Sequence, residues 1–304
     1  MINPRFLKST GLLIKSRLEA IFIWSWCTAV ACLIVGKGFP PLIPSLMSII
    51  AMIFLSMSVY LYNDVIDSDM DKFVSVKKNR PVTSGKVSKK EAMRLIYISA
   101  LIGLLIISIT NIFSLIFSSL YLVLFTIYSH PKIRLKKRFL FKESIITLGW
   151  PLCSLVGSFA VANKFSLNAF FASILFAIFA FMGMPALNDS TDIEADKLFG
   201  VKSLAVILNW KRKLQLLIIG VVIIMTLSPL TYINMGFNIL LPILVVSGSL
   251  IFLRFVFPII VNLGNVDLIE TAVLFKAKRI AYVYFILLQL FAIIGSINIK
   301  IPFF

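Results

Sequence analysis

Two short stretches of the sequence hold most of its carboxylates. Residues 62–72 read YNDVIDSDMDK and residues 188–197 read NDSTDIEADK, and together they carry eight of the 13 acidic residues. A shift of 125 positions superposes six positions, pairing Asn63 with Asn188, Asp64 with Asp189, Asp67 with Asp192, Asp69 with Glu194, Asp71 with Asp196 and Lys72 with Lys197. Such a repeat predicts two related halves of one site.

The spacing of the first cluster predicts what its carboxylates do. If each cluster continues its preceding apolar run as a helix, Asn63, Asp64, Asp67 and Asp71 lie within a turn or two of one another on one face. Carboxylates that close repel, so a cation must neutralise them. Hard oxygen ligands suit Mg²⁺, which is often completed by substrate phosphates. Two facing clusters would therefore hold Mg²⁺ ions around a diphosphate, whereas Asp69, off this face, is expected to tolerate substitution.

The rest of the chain must position these clusters in a membrane. It is 60% hydrophobic with a mean hydropathy of +0.99, above the 45–50% apolar content of soluble domains, and it repeats apolar runs of about 20 residues. The sequence predicts an all-α polytopic membrane protein with about nine transmembrane helices. The expected spans are about 18–36, 41–63, 93–111, 112–129, 142–162, 166–188, 213–233, 237–260 and 278–299.

The basic residues predict the orientation of this bundle. The net charge of +17 is spread over short loops without interleaved aromatic residues, a pattern that argues against a nucleic-acid partner. Lys and Arg total 26 on one side of the nine spans and three on the other, with Arg254 inside a span. By the positive-inside rule, the N-terminus and both acidic clusters are cytoplasmic.

The chain is expected to form a single membrane-embedded domain, residues 1–304. Within it, the repeat predicts two pseudo-repeat halves, about 18–141 and 142–260, followed by a last helix at 278–299. Ser88 with Glu91 three residues on predicts a helix start.

The loop after the first cluster contains further basic residues. Arg80, held extended before Pro81, has a planar fork suited to phosphate. Lys77, Lys78 and Lys86 are interpreted as topogenic charges.

Combined motifs give the chain a resemblance to a known family. N63-D-x-x-D67-x-x-x-D71, N79-R-P with S84-G, Y128-x-x-x-K132 and D189-x-x-D192-x-x-x-D196 followed by G200-x-K-S resemble the UbiA superfamily of intramembrane prenyltransferases, over nearly the whole chain. The resemblance implies a helical bundle whose central cavity is capped on the cytoplasmic side. It also implies Mg²⁺ as cofactor, an isoprenyl diphosphate and a hydrophobic acceptor as substrates, and a prenyl tunnel open to membrane lipid.

The same resemblance assigns roles to residues. The implied metal ligands are Asn63, Asp64, Asp67, Asp71, Asp189, Asp192 and Asp196, with Asn188 close by. The implied diphosphate-binding residues are Asn63, Arg80, Lys132 and, by a looser match, Arg17. The implied catalytic residues are Asp67, Asp71, Asp192, Asp196, Tyr128 and Lys132.

The implied reaction is metal-assisted ionisation of the allylic C–O bond and attack by the acceptor on the carbocation. The donor is expected to be of the geranylgeranyl type, and the acceptor stays open among lipids, quinone precursors and other aromatic compounds. No obligate protein partner is evident. Two alternatives are a secondary transporter, which the clustering of carboxylates at one membrane face disfavours, and a CDP-alcohol-type phosphotransferase, which the lack of an Asp-Gly pair disfavours.

Overall fold

A computed structural model of the chain describes residues 4–75, 77–187, 189–262 and 271–298, and regular structure in these ranges is helical throughout. The helices are α1 Pro4–Val35, α2 Leu42–Asp71, α3 Lys89–Ser108, α4 Ile112–Ser129, α5 Phe141–Ala162, α6 Leu167–Gly183, α7 Ile193–Leu198, α8 Leu204–Ile207, α9 Trp210–Met235, α10 Leu240–Asn262 and α11 Thr271–Ser296. The prediction of an all-α protein is confirmed.

Eight of these helices are long and apolar enough to cross a membrane, and α6 is a shorter apolar helix. Large apolar side chains point outward, as Leu101 and Leu105 of α3 and Ile116 of α4 do. Lipid, unlike water, favours such exposure. The chain is thus a multi-pass membrane protein in which each expected span corresponds to one helix.

The two acidic clusters differ in their local structure. The first continues α2 to Asp71, as expected. The second was expected to continue its span in the same way, and that prediction is wrong. α6 ends at Gly183, a 3₁₀ turn covers Asp189–Thr191, and the short α7 follows. Pro185 lacks an N–H group, so it cannot donate the next helical hydrogen bond, and this favours a break here, although α5, α9 and α10 continue through Pro151, Pro229 and Pro258. Asn188 lies outside the described residues.

The long helices form a ring that α11 closes by packing against α1. α1 also packs against α2, α5 and α6. Its Trp24 is buried beside Tyr121, Phe125 and Trp150, with ring centroids 5.3–5.8 Å apart. A Cβ added at Gly149 would lie 2.2 Å from the Trp24 ring. A glycine is therefore required for this close contact between α1 and α5.

Three loops, residues 72–88, 130–140 and 184–203, lie over one end of the bundle and are called the loop layer below. Ser88 and Glu91 form the expected capping box at the start of α3. Gly85 and Gly200 have φ values of +74° and +68°, which glycine adopts without steric cost. The amide of Lys202 donates to the carbonyl of Lys137 at 3.3 Å. The loop layer therefore joins both halves of the chain above the acidic clusters.

Candidate active site

A pocket of about 100 Å³ lies beneath the loop layer, between the ends of α2, α4 and α5. Residues of both acidic clusters line it together with three lysines and two aromatic rings. The lining residues are Asn63, Asp67, Met70, Asp71, Val74, Lys77, Tyr128, Lys136, Lys142, Asp192, Asp196, Phe199 and Val201. The structure thus brings the two motifs to one pocket.

On the α2 side, Asn63 orients the carboxylate of Asp67. The Asn63 amide donates to Asp67 Oδ2 at 2.7 Å and to Ser129 Oγ at 3.0 Å. Asp67 also pairs with Lys136 and, at 3.3 Å, with Arg134. Both cations come from the loop between α4 and α5, where the left-handed backbone of Arg134 (φ 46°) is an uncommon conformation for a residue other than glycine. One helical surface therefore presents an amide and a carboxylate to the pocket.

On the opposite side, Lys142 of α5 holds two carboxylates of the second motif. Its ammonium lies 3.1 Å from Asp189 and 2.7 Å from Asp196. Burial raises the pKa of Asp189 to about 6, although Lys142 lowers it. Asp189 Oδ2 and Asp192 Oδ1 are buried without a hydrogen-bond partner. The second motif therefore has oxygen atoms available to a further ligand.

Contacts across the pocket join the two halves. Lys77, from the loop after α2, pairs with Asp192 at 2.7 Å. Next to this pair, the rings of Phe73 and Phe199 have centroids 6.0 Å apart. Lys77 was interpreted from the sequence as a topogenic charge, and the structure gives it a partner at the pocket instead.

Asp64, Arg17 and Arg80, which were expected to bind metal or diphosphate, are not among the residues that line the pocket. Asp64 is 1% exposed and its oxygens accept from two arginines. Arg17 Nε donates to Oδ2 at 2.8 Å and its Nη2 to Oδ1, while Arg80 Nη1 donates to Oδ1 at 3.0 Å. Arg80 also donates to Asp71 Oδ2 at 2.7 Å. These arginines hold carboxylates rather than facing the space a diphosphate would fill.

Lys132 also differs from its expected place beside Tyr128. α4 ends at Ser129, His130 accepts from the Lys132 amide, and the Lys132 side chain is exposed. Pro131 prevents the helix from continuing, so the four-residue spacing does not align the two side chains. Lys136 and Lys142, which motif comparison missed, line the pocket instead. Burial lowers the pKa of Lys136, although Asp67 opposes this shift.

The oxygen atoms at the pocket suit a magnesium ion that is coordinated partly by the protein and partly by the substrate. Within the described residues, no three carboxylate, histidine or cysteine side chains are close enough to hold an ion together. Mg²⁺ does not require such a cage, because it commonly binds one or two carboxylates plus substrate phosphates. The unpartnered Asp192 oxygen and the amide-oriented Asp67 meet that requirement from both sides of the pocket, and Asp189, whose Oδ2 is also unpartnered, lies behind the lining residues on the second side.

The fold and this pocket define a class, membrane-embedded enzymes whose paired aspartate motifs meet beneath loops at one end of a helical bundle. Comparison with known proteins gives the family. Residues 24–262 match the model of the UbiA prenyltransferase family. The chain therefore belongs to the UbiA family and is an intramembrane prenyltransferase.

Individual relatives show the extent of the similarity. The chain is 24% identical over 218 residues to a 4-hydroxybenzoate octaprenyltransferase of Vesicomyosocius okutanii subsp. Calyptogena okutanii, covering 72% of this chain and 77% of the relative. It is 36% identical over 132 residues to the same kind of enzyme from Polynucleobacter asymbioticus, covering 43% and 46%.

Solved structures share the fold. One solved structure is described as giving insight into the biosynthesis of digeranylgeranylglyceryl phosphate synthase in membranes. It has a TM-score of 0.75 at 23% identity, and the match covers 97% of this chain and 99% of that chain. A UbiA homolog from Archaeoglobus fulgidus bound to GPP and Mg²⁺ has a TM-score of 0.65 at 18% identity, covering 91% and 98%.

Proposed function

We propose that this enzyme transfers an isoprenyl group from an allylic isoprenyl diphosphate to a hydrophobic aromatic or lipid acceptor, in a Mg²⁺-dependent reaction at the pocket between α2 and α5. The observation that carries the proposal is the Lys77–Asp192 pair. It joins the loop after the first aspartate motif to the second motif, so that both motifs lie at one pocket. The Archaeoglobus fulgidus homolog bound to GPP and Mg²⁺ supports the same pairing of metal and donor.

The proposed metal ligands are Asn63, Asp67, Asp71, Asp192 and Asp196, with Asp189 beside them. When bound, Mg²⁺ would neutralise charge on the diphosphate and make it a better leaving group. The protein's own cations add to this effect. Lys136 and Lys142 line the pocket and can exchange a carboxylate for a phosphate oxygen, stabilising the charge that develops as the C–O bond breaks.

The remaining residues orient the donor and protect the cation. The hydroxyl of Tyr128 lies at the pocket wall and can donate to a phosphate oxygen. The core contains a cluster of aromatic side chains, Trp24 and Phe125 among them, and aromatic faces of this kind can attract an allylic cation. A membrane-embedded apolar core also excludes water, which would otherwise hydrolyse the cation. The acceptor carbon or oxygen then attacks the cation and a proton is lost.

The acceptor is proposed at the level of chemical class. The curated relatives are named for the acceptor 4-hydroxybenzoate. The solved structure with a TM-score of 0.75 is described with digeranylgeranylglyceryl phosphate synthase, which is named for a prenylated lipid. Each name indicates that an isoprenyl group is joined to an electron-rich atom of an acceptor, aromatic in one case and a lipid in the other. We further propose that the pocket faces the cytoplasm, because the loops that carry Lys77, Lys136 and Lys202 are the basic ones.

The experiment is a product analysis. Purified enzyme in lipid nanodiscs is incubated with Mg²⁺, labelled geranylgeranyl diphosphate and, in separate reactions, 4-hydroxybenzoate or geranylgeranylglyceryl phosphate. A Mg²⁺-dependent prenylated product of either acceptor, identified by mass, supports the proposal and selects the acceptor. Transport of the labelled compound into vesicles without any prenylated product would contradict it.

A further inference from the structure

The first aspartate of the first motif, Asp64, has surroundings unlike those of Asp67 and Asp71. Asp67 and Asp71 line the pocket, whereas Asp64 does not. Its side chain is 2% exposed, and it meets one arginine from α1 and one from the loop after α2. The same motif therefore contains two kinds of carboxylate.

The two arginines occupy three of the roughly four acceptor positions of the Asp64 carboxylate. Arg17 approaches through both Nε and Nη2, one to each carboxylate oxygen, and Arg80 shares Oδ1. Coordination of an ion by Asp64 would separate it from guanidinium groups that are themselves only 13% and 18% exposed. Arg17 would then lose its counter-ion, which is strongly unfavourable for a buried cation, and Arg80 would keep only Asp71.

Arg17 connects this carboxylate to the aromatic core. Its guanidinium lies over the ring of Tyr60, 5.7 Å from the centroid. The Tyr60 hydroxyl accepts from the indole N–H of Trp24 at 2.8 Å. Since Arg17 and Trp24 both belong to α1, these contacts fix α1 against α2 one turn below the pocket residue Asn63.

Arg80 connects the same carboxylate to the pocket. Its Nη1 atom donates both to Asp64 Oδ1 and to Asp71 Oδ2, at 3.0 and 2.7 Å. Asp71 lines the pocket. A change at Asp64 therefore reaches Asp71 through one guanidinium group.

We infer that Asp64, Arg17 and Arg80 form a positioning anchor: Asp64 is not a metal ligand but holds the two arginines that fix Asp71 at the pocket and α1 at its wall. This inference rests on the proposed function, because it separates residues that bind metal from residues that place them. It corrects the expectation that Asp64 belongs to the metal shell and that Arg17 and Arg80 bind the diphosphate.

Asp69 provides a matched control for Asp64. It lies on the same helix and also has two cationic partners, Lys72 and Lys89, at 2.9 and 3.0 Å. Its side chain is 69% exposed, however, and screened by solvent. Removal of its charge is expected to change neither metal binding nor turnover.

The test compares Asp64→Asn, Asp67→Asn and Asp69→Asn in nanodiscs, with Mn²⁺ as the metal probe in the presence of inorganic diphosphate. Free Mn²⁺ is measured by electron paramagnetic resonance, and kcat and KM for product formation are measured for the wild type and for each variant. We expect Asp67→Asn to weaken Mn²⁺ binding at least tenfold. Asp64→Asn should leave Mn²⁺ binding within threefold of wild type and lower kcat at least thirtyfold.

Arg17→Gln keeps the inference testable if Asp64→Asn fails to insert. It removes no carboxylate, yet it should reproduce the loss of kcat with unchanged Mn²⁺ binding. The double variant Asp64→Asn/Arg17→Gln should lose no more kcat than either single variant. Mn²⁺ binding weakened as much in Asp64→Asn as in Asp67→Asn, or wild-type turnover in Arg17→Gln, would overturn the anchor. A wild-type enzyme that binds Mn²⁺ but prenylates neither acceptor would overturn the proposed function alone.

Discussion

Lys77 and Asp192 are 115 positions apart in the chain, and the ammonium of one lies 2.7 Å from the carboxylate of the other. Lys77 follows the first aspartate motif, and Asp192 belongs to the second. Their side chains are both 22% exposed, so solvent screens the pair only in part. This contact joins the halves of the pocket and directs the first prediction.

Lys77→Gln is expected to raise KM for the isoprenyl diphosphate about tenfold, equivalent to about 1.4 kcal/mol, with a smaller effect on kcat. The lysine supplies a cation to the pocket, and the glutamine has similar size without the charge. Steady-state kinetics with varied diphosphate concentration measure the effect. Lys78→Gln, an exposed neighbour, serves as the control and should behave as wild type. Equal effects of the two substitutions would argue against a role for the Lys77–Asp192 pair.

Asp67→Ala and Asp196→Ala are each expected to reduce product formation at least 100-fold, since loss of a metal ligand removes several kcal/mol of transition-state stabilisation. Membrane insertion should be retained, as judged by yield and gel filtration. In the wild-type enzyme, EDTA should abolish activity and excess Mg²⁺ should restore it. Activity that survives chelation would contradict the proposed mechanism.

Lys136→Gln should lower kcat/KM at least tenfold, because Lys136 lies at the pocket beside Asp67 and provides charge to the departing diphosphate. Lys132→Gln changes the lysine that the family motif favours, and its kcat/KM should stay within twofold of the wild-type value. The two variants are compared in the same product assay. The reverse order of effects would restore Lys132 to the site.

The comparison of these two lysines shows what the sequence can and cannot predict. Hydropathy and periodicity locate the helices, and the capping box at Ser88 marks the start of α3. The first motif is placed well because α2 continues without a break. The second is not, since α6 ends at Gly183 although other helices of this chain continue through a proline, and the turns that follow depend on tertiary contacts.

Loop residues are the hardest to place. Lys136 and Arg134 reach Asp67 through a backbone reversal that begins at Pro131, and their charges look like ordinary topogenic ones in the sequence. Asp64 shares its motif spacing with Asp67, yet it meets two arginines, one from α1 and one from the loop after α2. The division of the chain into two halves, about 18–141 and 142–260, remains a prediction.

Gly149→Ala should destabilise the protein by about 1–3 kcal/mol, as expected for overpacking a close helix contact. The added Cβ would clash with the ring of Trp24, which Tyr121 and Phe125 hold on its other sides. Thermal unfolding in detergent measures the change. Gly11→Ala is the control, because a Cβ there meets no atom within 4 Å. An unchanged melting temperature for Gly149→Ala would show that the α1–α5 contact adapts.

Cysteine labelling tests the orientation of the pocket. Ser84→Cys and Lys202→Cys, both exposed in the loop layer, should react with an impermeant maleimide from the cytoplasmic side only, whereas Lys164→Cys, between α5 and α6, should react from the opposite side. Background is low because the natural cysteines are buried, namely Cys27, Cys32 and Cys153. Labelling of Ser84→Cys and Lys202→Cys from different sides would contradict a shared pocket.

The ion pairs of the two motifs also bear on turnover. The six described motif aspartates each contact lysine or arginine, and the cations involved are also six, namely Arg17, Lys77, Arg80, Arg134, Lys136 and Lys142. This group of residues is electroneutral by itself. When diphosphate departs together with its metal, no isolated charge is left in a region of low dielectric constant. Between turnovers the pocket therefore needs no counter-ions from solution to balance these charges.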